Sequence, residues 1–250
     1  MIPEALFLAG VLLVGVLSGG TAAVVGFGIG SLLTPLLLTR LAPHEAVAAV
    51  ALPHLLATAV RLVRHRPAVD RHVFAAFGLP SAAASLAGAF LLGRLTSPWL
   101  VGALGALLLA TGIANLTRGF GQWTPPVPVA IGLGLASGLF GGLAGNQGGL
   151  RAAGLMAFRL APRPFLATST AVALVVDLAR TPVYLSRGGE ALVAWWPAIA
   201  AATIGCLAGT VLGERVLLGL RPERYRQAIG AAVAVVGAWL LVRAVMGRAA

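Results

Sequence analysis

Residues 18–43 read SGGTAAVVGFGIGSLLTPLLLTRLAP, and residues 137–162 read SGLFGGLAGNQGGLRAAGLMAFRLAP. At a constant offset of 119 the stretches agree at nine of 26 positions: Ser18/Ser137, Gly19/Gly138, Gly26/Gly145, Gly30/Gly149, Leu36/Leu155 and the whole of Arg-Leu-Ala-Pro. Chance in so biased a composition gives roughly three matches, so the chain carries a duplication. The seam lies near Gly119 to Pro128, where Gly, Gln, Thr and three prolines interrupt the apolar pattern. The expected organisation is an N-terminal repeat over 1–118, a linker over 119–127 and a C-terminal repeat over 128–250, all in one integral membrane domain.

Composition names the solvent. Of the 250 residues, 59% are hydrophobic and only 10% charged, and mean hydropathy is +0.95. Too few polar side chains remain to cover a water-facing surface, so lipid must cover much of the chain. Closed barrels alternate apolar and polar residues. Runs such as Val101-Gly102-Ala103-Leu104-Gly105-Ala106-Leu107-Leu108-Leu109 do not alternate, which predicts an all-α polytopic bundle. Net charge is +11, and every residue of the Lys/Arg class is arginine. The arginines sit mostly between apolar runs, as in cytoplasmic membrane loops, and nucleic acid is not an expected partner. The lone Cys206 excludes a disulfide framework and cysteine-based metal sites. Glu4, with no arginine before the first apolar run, argues against a cleavable leader, so the first segment is expected to stay.

Each half shows the same order of segments. Two short ones come first, at about 5–20 and 24–39, then at about 128–143 and 148–159. At roughly 18–24 Å of helix they are shorter than a hydrocarbon core, which suits a hairpin of short helices. Three longer segments follow, at about 44–63, 71–93 and 98–117, then at 163–184, 190–212 and 225–246. There are up to ten segments in all, eight of them full spans on one reading of the hairpins. The loop at 61–72 holds Arg61, Arg64, Arg66 and Arg71, and the loop at 213–226 holds Arg215, Arg221, Arg224 and Arg226. Both are expected in the cytoplasm, with Arg118, Arg159 and Arg163, while Arg94 and Arg187 fall outside. A hairpin makes an even number of crossings, so each half has an odd total, and the second half inserts upside down. Inverted-topology repeats are a mark of secondary transporters.

The two glycine-rich turns are the candidate site. Gly26, Phe27, Gly28 and Gly30 stand in register with Gly145, Asn146, Gln147 and Gly149, beside Gly148. Helix N-termini present free N–H donors to anions, and glycine lets a ligand approach the backbone. Glycine also serves plain helix packing, and buried amides also bond neighbouring helices. Arg151 follows in the second hairpin, where a charge at depth faces a cavity or snorkels to the interface. Thr168-Ser169-Thr170 open the next helix; such hydroxyls line a path or bond their own i−4 carbonyls. Asp177 and Arg180 share a helical face and are expected to pair, with a coupling role as the sharper reading. The same positions of the first half hold Thr58 and Arg61. His54, about ten residues into its helix, reads as a packing histidine or a proton relay.

The chain resembles the sulfite exporter TauE/SafE family of membrane permeases. The resemblance rests on Ser18-Gly19 followed by Gly26-Phe27-Gly28-Ile29-Gly30 and Pro35, on the second copy Ser137-Gly138 followed by Gly145 and Gly148-Gly149, and on the Thr168-Ser169 entry to the next helix. It spans essentially the whole chain, and the sequence departs from the commoner pattern at Asn146-Gln147 and Arg151. It implies a multi-pass protein of the cytoplasmic (inner) membrane that moves small sulfur-containing anions, sulfite or a sulfonate, commonly by export. Coupling to protons is a separate expectation, read from Asp177, Arg180 and His54. The expected site is Gly26, Phe27, Gly28, Gly30, Gly145, Asn146, Gln147, Gly148, Gly149, Arg151, Thr168 and Ser169, with Asp177, Arg180 and His54 for coupling. No catalytic residue, cofactor or metal is expected; the partners are the anion and the bilayer, and a homodimer is compatible. The competing readings are an anion channel through the same glycine constriction, a membrane enzyme and a subunit of a larger complex. An enzyme needs a nucleophile–base or metal cluster, which the spacing of four histidines and seven acids does not supply.

The topology is open to direct test. In a Cys206→Ser background, single cysteines placed in 61–72 and in 213–226 are expected to label from the same, cytoplasmic side, and the Arg187 region and both termini from the other. Labelling of the two arginine-rich loops from opposite sides would exclude the inverted arrangement.

Overall fold

Apolar residues at helical spacing dominate the chain, and the computed structural model is built from helices. It describes residues 4–91, 102, 105–106, 108–110, 112–113, 116, 125–144, 148–218 and 221–246. The helices are α1 (Glu4–Val25), α2 (Ile29–Leu37), α3 (Pro43–His65), α4 (Arg71–Phe90), α5 (Val127–Ala144), α6 (Gly148–Met156), α7 (Pro162–Ala194), α8 (Trp196–Leu218) and α9 (Pro222–Met246). The described residues between 102 and 116 are helical as well. No strand occurs among the described residues. Five helices are long and apolar enough to cross a bilayer: Glu4–Val25, Glu45–Ala68, Arg71–Phe90, Pro162–Ser186 and Trp196–Val216. Val127–Leu143 and Gly230–Met246 are shorter apolar helices. The protein is an all-α, multi-pass membrane protein.

Two boundaries differ from the sequence reading. The first segment does not stop near residue 20; α1 continues through Gly19-Gly20 to Val25. Those glycines serve contact rather than a turn, because a Cβ at Gly19 would collide with the backbone of Cys206. The break expected around Arg187 lies instead at Trp195, since α7 runs 33 residues to Ala194. Gly188-Gly189 cost helix propensity without ending the helix. Pro197, in the first turn of α8, is tolerated because its missing N–H has no helical partner there. The short members of each hairpin, α2 and α6, have nine residues each, about 13 Å, which is less than half a hydrocarbon core. The expected linker at 119–127 and the segment at 98–117 lie largely outside the described residues.

Small residues set the helix pairing. Gly15, Gly19 and Gly20 of α1 meet Gly205, Cys206, Gly209 and Gly213 of α8 in the same chain direction, so these helices run parallel. Gly134, Gly138 and Gly142 of α5 meet Phe77, Ser81 and Ser85 of α4, again in parallel. Helices in lipid gain nothing by hiding apolar surface from one another, so close backbone approach and dispersion hold them. The α3–α7 pair is antiparallel: Val47 and Ala48 cluster with Val183 and Tyr184, His54 reaches Asp177, and Asp70 reaches Thr168. The described residues between 102 and 116 run antiparallel to α9 too, Gly105 lying on Leu241 and Gly112 on Ala234.

Two further contacts fix the ends. Glu214 of α8 accepts from Arg64 Nη1 at 2.6 Å and lies 3.3 Å from His65 Nε2, which brings the C-terminal ends of α3 and α8 together. Arg40, just past α2, lies 4.3 Å from the Phe7 ring centroid near the start of α1, and Trp195 meets the same ring edge-on.

Gly209→Val is expected to lower stability by about 1–3 kcal/mol, as overpacking does, because a Cβ there would meet the backbone of Val16. Gly10→Ala, at a position with open space, is expected to be neutral. Thermal unfolding of the two variants in the same detergent checks the contrast.

Candidate functional site

Helix α1 ends at a turn that only glycine makes easily. Gly26 has φ +85° and Gly28 φ +139°, both on the side of the map that a Cβ disfavours. The turn releases the chain into α2, whose first N–H groups lie just past Gly28. Phe27, between the glycines, is buried in the core with Phe165 and Leu108. Helix α6 starts at Gly148, and a Cβ there would run into the Phe27 side chain. The two hairpin tips, 119 residues apart in the repeat register, therefore touch. Gly149 is looser: a Cβ there would make ordinary contact with Leu108 and Val236. Gly30 is buried in the first turn of α2. Gly145, Asn146 and Gln147 lie outside the described residues.

Arg151 is the charged member of this junction. It is 1% exposed on α6, and its Nη2 donates to the Gly26 carbonyl at 3.0 Å while Nε donates to Ser169 Oγ at 3.1 Å. A helix C-terminus leaves carbonyls without partners and carries partial negative charge, so a guanidinium suits the end of α1. Both acceptors, a hydroxyl and a backbone carbonyl, are neutral, so neither cancels the charge of Arg151. The side chain does not reach the protein surface; it is buried and spent on the tip. Of the three consecutive hydroxyls, Ser169 joins the junction, whereas Thr168 Oγ1 accepts from the Asp70 N–H at 2.9 Å, at the start of α4. Thr170 Oγ1 is buried with no partner among the described residues.

A second polar cluster bridges α3 and α7. Asp177 Oδ1 accepts from Arg180 Nη2 at 3.0 Å, the pairing expected from their spacing. Asp177 Oδ2 lies 2.6 Å from His54 Nδ1, a partner 123 residues away that the sequence did not announce. Arg180 also donates through Nη1 to Gly141 O at 2.9 Å, and Tyr184 donates its hydroxyl to Gly142 O at 2.9 Å. These carbonyls lie near the C-terminal end of α5, so Arg180 serves the second hairpin much as Arg151 serves the first.

Arg61 is the residue sequence reading missed. It was counted as loop charge, but it is 1% exposed and donates through Nη2 to Thr58 Oγ1 at 3.2 Å. Thr58 Oγ1 in turn stands 3.4 Å from His54 Nδ1. The signal was present, because Thr58/Arg61 and Asp177/Arg180 share both the three-residue spacing and the repeat offset. Among the described residues the buried charges are thus Arg61, Arg151, Arg180 and Asp177. Arg151 and Asp177 act on each other electrostatically, so the tip junction and the second cluster share one field. A separate groove of about 380 Å³, lined by Leu62, Val63, Arg66, Val69, Phe74 and Leu174, is apolar and offers an anion little.

Buried guanidinium groups, the break between α1 and α2 and the contact of Phe27 with Gly148 thus lie within one multi-pass bundle. A model of the family described as sulfite exporter TauE/SafE matches residues 11–240. The chain belongs to that family, which is one of membrane transporters and not of enzymes. No curated protein and no solved structure matches the chain.

Gly148→Ala is expected to cost about 1–3 kcal/mol by forcing Phe27 aside, whereas Gly149→Ala stays within about 0.5 kcal/mol of the parent. Detergent thermal melts of the pair separate contact at the tip from general intolerance of bulk.

Proposed function

We propose that the protein is a secondary transporter that exports small sulfur-containing anions, sulfite or a sulfonate, across the cytoplasmic membrane, binding them where the two hairpin tips meet. The observation that carries this reading is the junction itself: Phe27 on Gly148, with buried Arg151 held between the Gly26 carbonyl and Ser169. A small oxyanion presents several acceptor oxygens and negative charge. It competes for Arg151 with two neutral acceptors, and charge-assisted bonds are roughly twice as strong as neutral ones. The first N–H groups of α2 and α6, at the same tips, add donors with favourable dipoles. Asn146 and Gln147, between α5 and α6 in sequence, supply further donors in this reading.

The halves 1–118 and 128–250 form inverted-topology repeats in this proposal. Support comes from helix direction. The third segments, α3 and α7, are antiparallel to each other, as are the fifth, the described residues between 102 and 116 and α9. The first helix of each half runs parallel to the fourth of the other. A two-fold axis in the membrane plane produces this set of directions, whereas a repeat in the same orientation would make the equivalent helices parallel. Transporters of this kind bind substrate at the repeat interface, where the tips lie.

The test is counterflow of labelled sulfite in proteoliposomes. Wild-type protein is expected to show saturable uptake stimulated by sulfite on the opposite side. Arg151→Gln, purified and monodisperse, is expected to raise the half-saturating concentration at least about tenfold, the lower range for losing a charged hydrogen bond. Uptake that neither saturates nor responds to sulfite on the far side identifies a channel. Unchanged affinity in Arg151→Gln removes the tip junction as the site.

A further inference from the structure

We propose that the His54–Asp177 pair is a proton-binding site, and that the proton taken up there is a co-ligand of the transported anion. The inference rests on the anion reading above and adds the second ligand of the same site.

The geometry supports it from several directions. The pair is 2.6 Å long, with side chains 13% and 3% exposed, and it joins α3 to α7 within two helices apolar enough to cross the bilayer. Imidazole is the side chain whose ordinary titration falls nearest physiological pH, and ionisable groups inside a membrane mark ion and proton paths. The charged and titratable groups facing the pair are Arg180 and Tyr184 from α7, Arg61 from α3 through Thr58, and Arg151 from α6. None of these is an anion, so among the described residues Asp177 carries the one negative charge of the cluster. With His54 neutral, its Nδ1–H donates to Asp177 Oδ2. When His54 takes a proton at Nε2, the pair becomes imidazolium–carboxylate, and one positive charge is added to a field that already contains Arg151 and Arg180.

The sign of the coupling follows. A positive charge added within electrostatic reach of Arg151 favours an anion at the tips. Linkage is reciprocal, so a bound anion must favour the proton on His54 by the same factor. Arg180 gives the connection a mechanical route as well. One guanidinium holds both the Asp177 carboxylate and the Gly141 carbonyl near the second tip, so a change of charge at His54–Asp177 is felt by the hairpin that ends at the site. Proton and anion then load together, and a dianion that leaves with one proton moves as a single net negative charge.

Two measurements test this. In the first, His44, His65 and His72 are replaced by glutamine, so that His54 is the only imidazole. The ¹⁵N shifts of its ring in the purified protein are followed from about pH 5 to pH 9. The expected result is a titration within that range that moves to higher pH when sulfite is added; a ring that keeps one protonation state throughout overturns the proposal. In the second, sulfite flux and internal pH are recorded in proteoliposomes for wild type and for His54→Asn. That variant keeps a donor toward Asp177 but cannot take the proton. The sulfite–bisulfite equilibrium is common to both proteins, so their difference isolates the side chain. Wild-type flux is expected to fall toward about tenfold per pH unit on the alkaline side of the His54 titration, and His54→Asn to lose both that slope and the accompanying proton movement. A wild-type pH profile in His54→Asn overturns the proposal. Absence of sulfite flux in the wild type overturns the function reading instead, and the ring titration then decides the proton site by itself.

Discussion

An interrupted helix in an apolar interior leaves carbonyl groups that no solvent will satisfy, and the structure answers this with buried guanidinium groups. Gly26 needs a donor because α1 ends inside the bundle; Arg151 supplies it from α6. Gly141 and Gly142, toward the end of α5, are served by Arg180 and Tyr184 from α7. Each unsatisfied group in lipid costs several kcal/mol. The tips therefore exist only together with these side chains, and so do the short helices behind them. The same bonds that make the break tolerable also concentrate positive charge around it. In the reading proposed above, structure and selectivity arise from one device: the guanidinium that satisfies a buried carbonyl at the break is also what would attract an anion.

Glycine does two different jobs here, and they must be kept apart. At Gly26 and Gly28 it permits a backbone turn. At Gly19, Gly138, Gly209 and Gly213 it removes a side chain so that one helix can lie on another. The second use dominates the α1–α8 and α4–α5 crossings. Those tightly packed pairs frame α3 and α7, which carry the His54–Asp177 bridge.

Much of this was legible in the sequence. The glycine pattern located the turn at Gly26 and Gly28, and the i,i+3 spacing announced Asp177–Arg180. Arg151 was recognisable as a charge in the wrong place. What escaped reading did so for physical reasons. Gly19-Gly20 and Gly188-Gly189 looked like breaks because a one-dimensional pattern cannot tell a turn from a close contact. Arg61 was hidden by its position: an arginine near the end of an apolar run is usually loop charge, and only the helix packed over it decides otherwise. The approach of His54 to Asp177 depends on the antiparallel register of α3 and α7, which no local pattern encodes. Thr168 was grouped with Ser169 by adjacency, yet neighbouring residues on a helix point about 100° apart, and its hydroxyl meets the Asp70 N–H instead.

Cys206 lies under α1 at the α1–α8 crossing, fully buried, with its sulfur 3.6 Å from Ser18 Oγ. The chain has no other thiol. A membrane-permeant maleimide can reach this sulfur only after the two helices part, so its rate of attack measures how often that seam opens. The native chain therefore holds a built-in stopwatch for its own breathing. It reads a motion that, for helices from opposite halves of the chain, is the motion a rocking carrier would need.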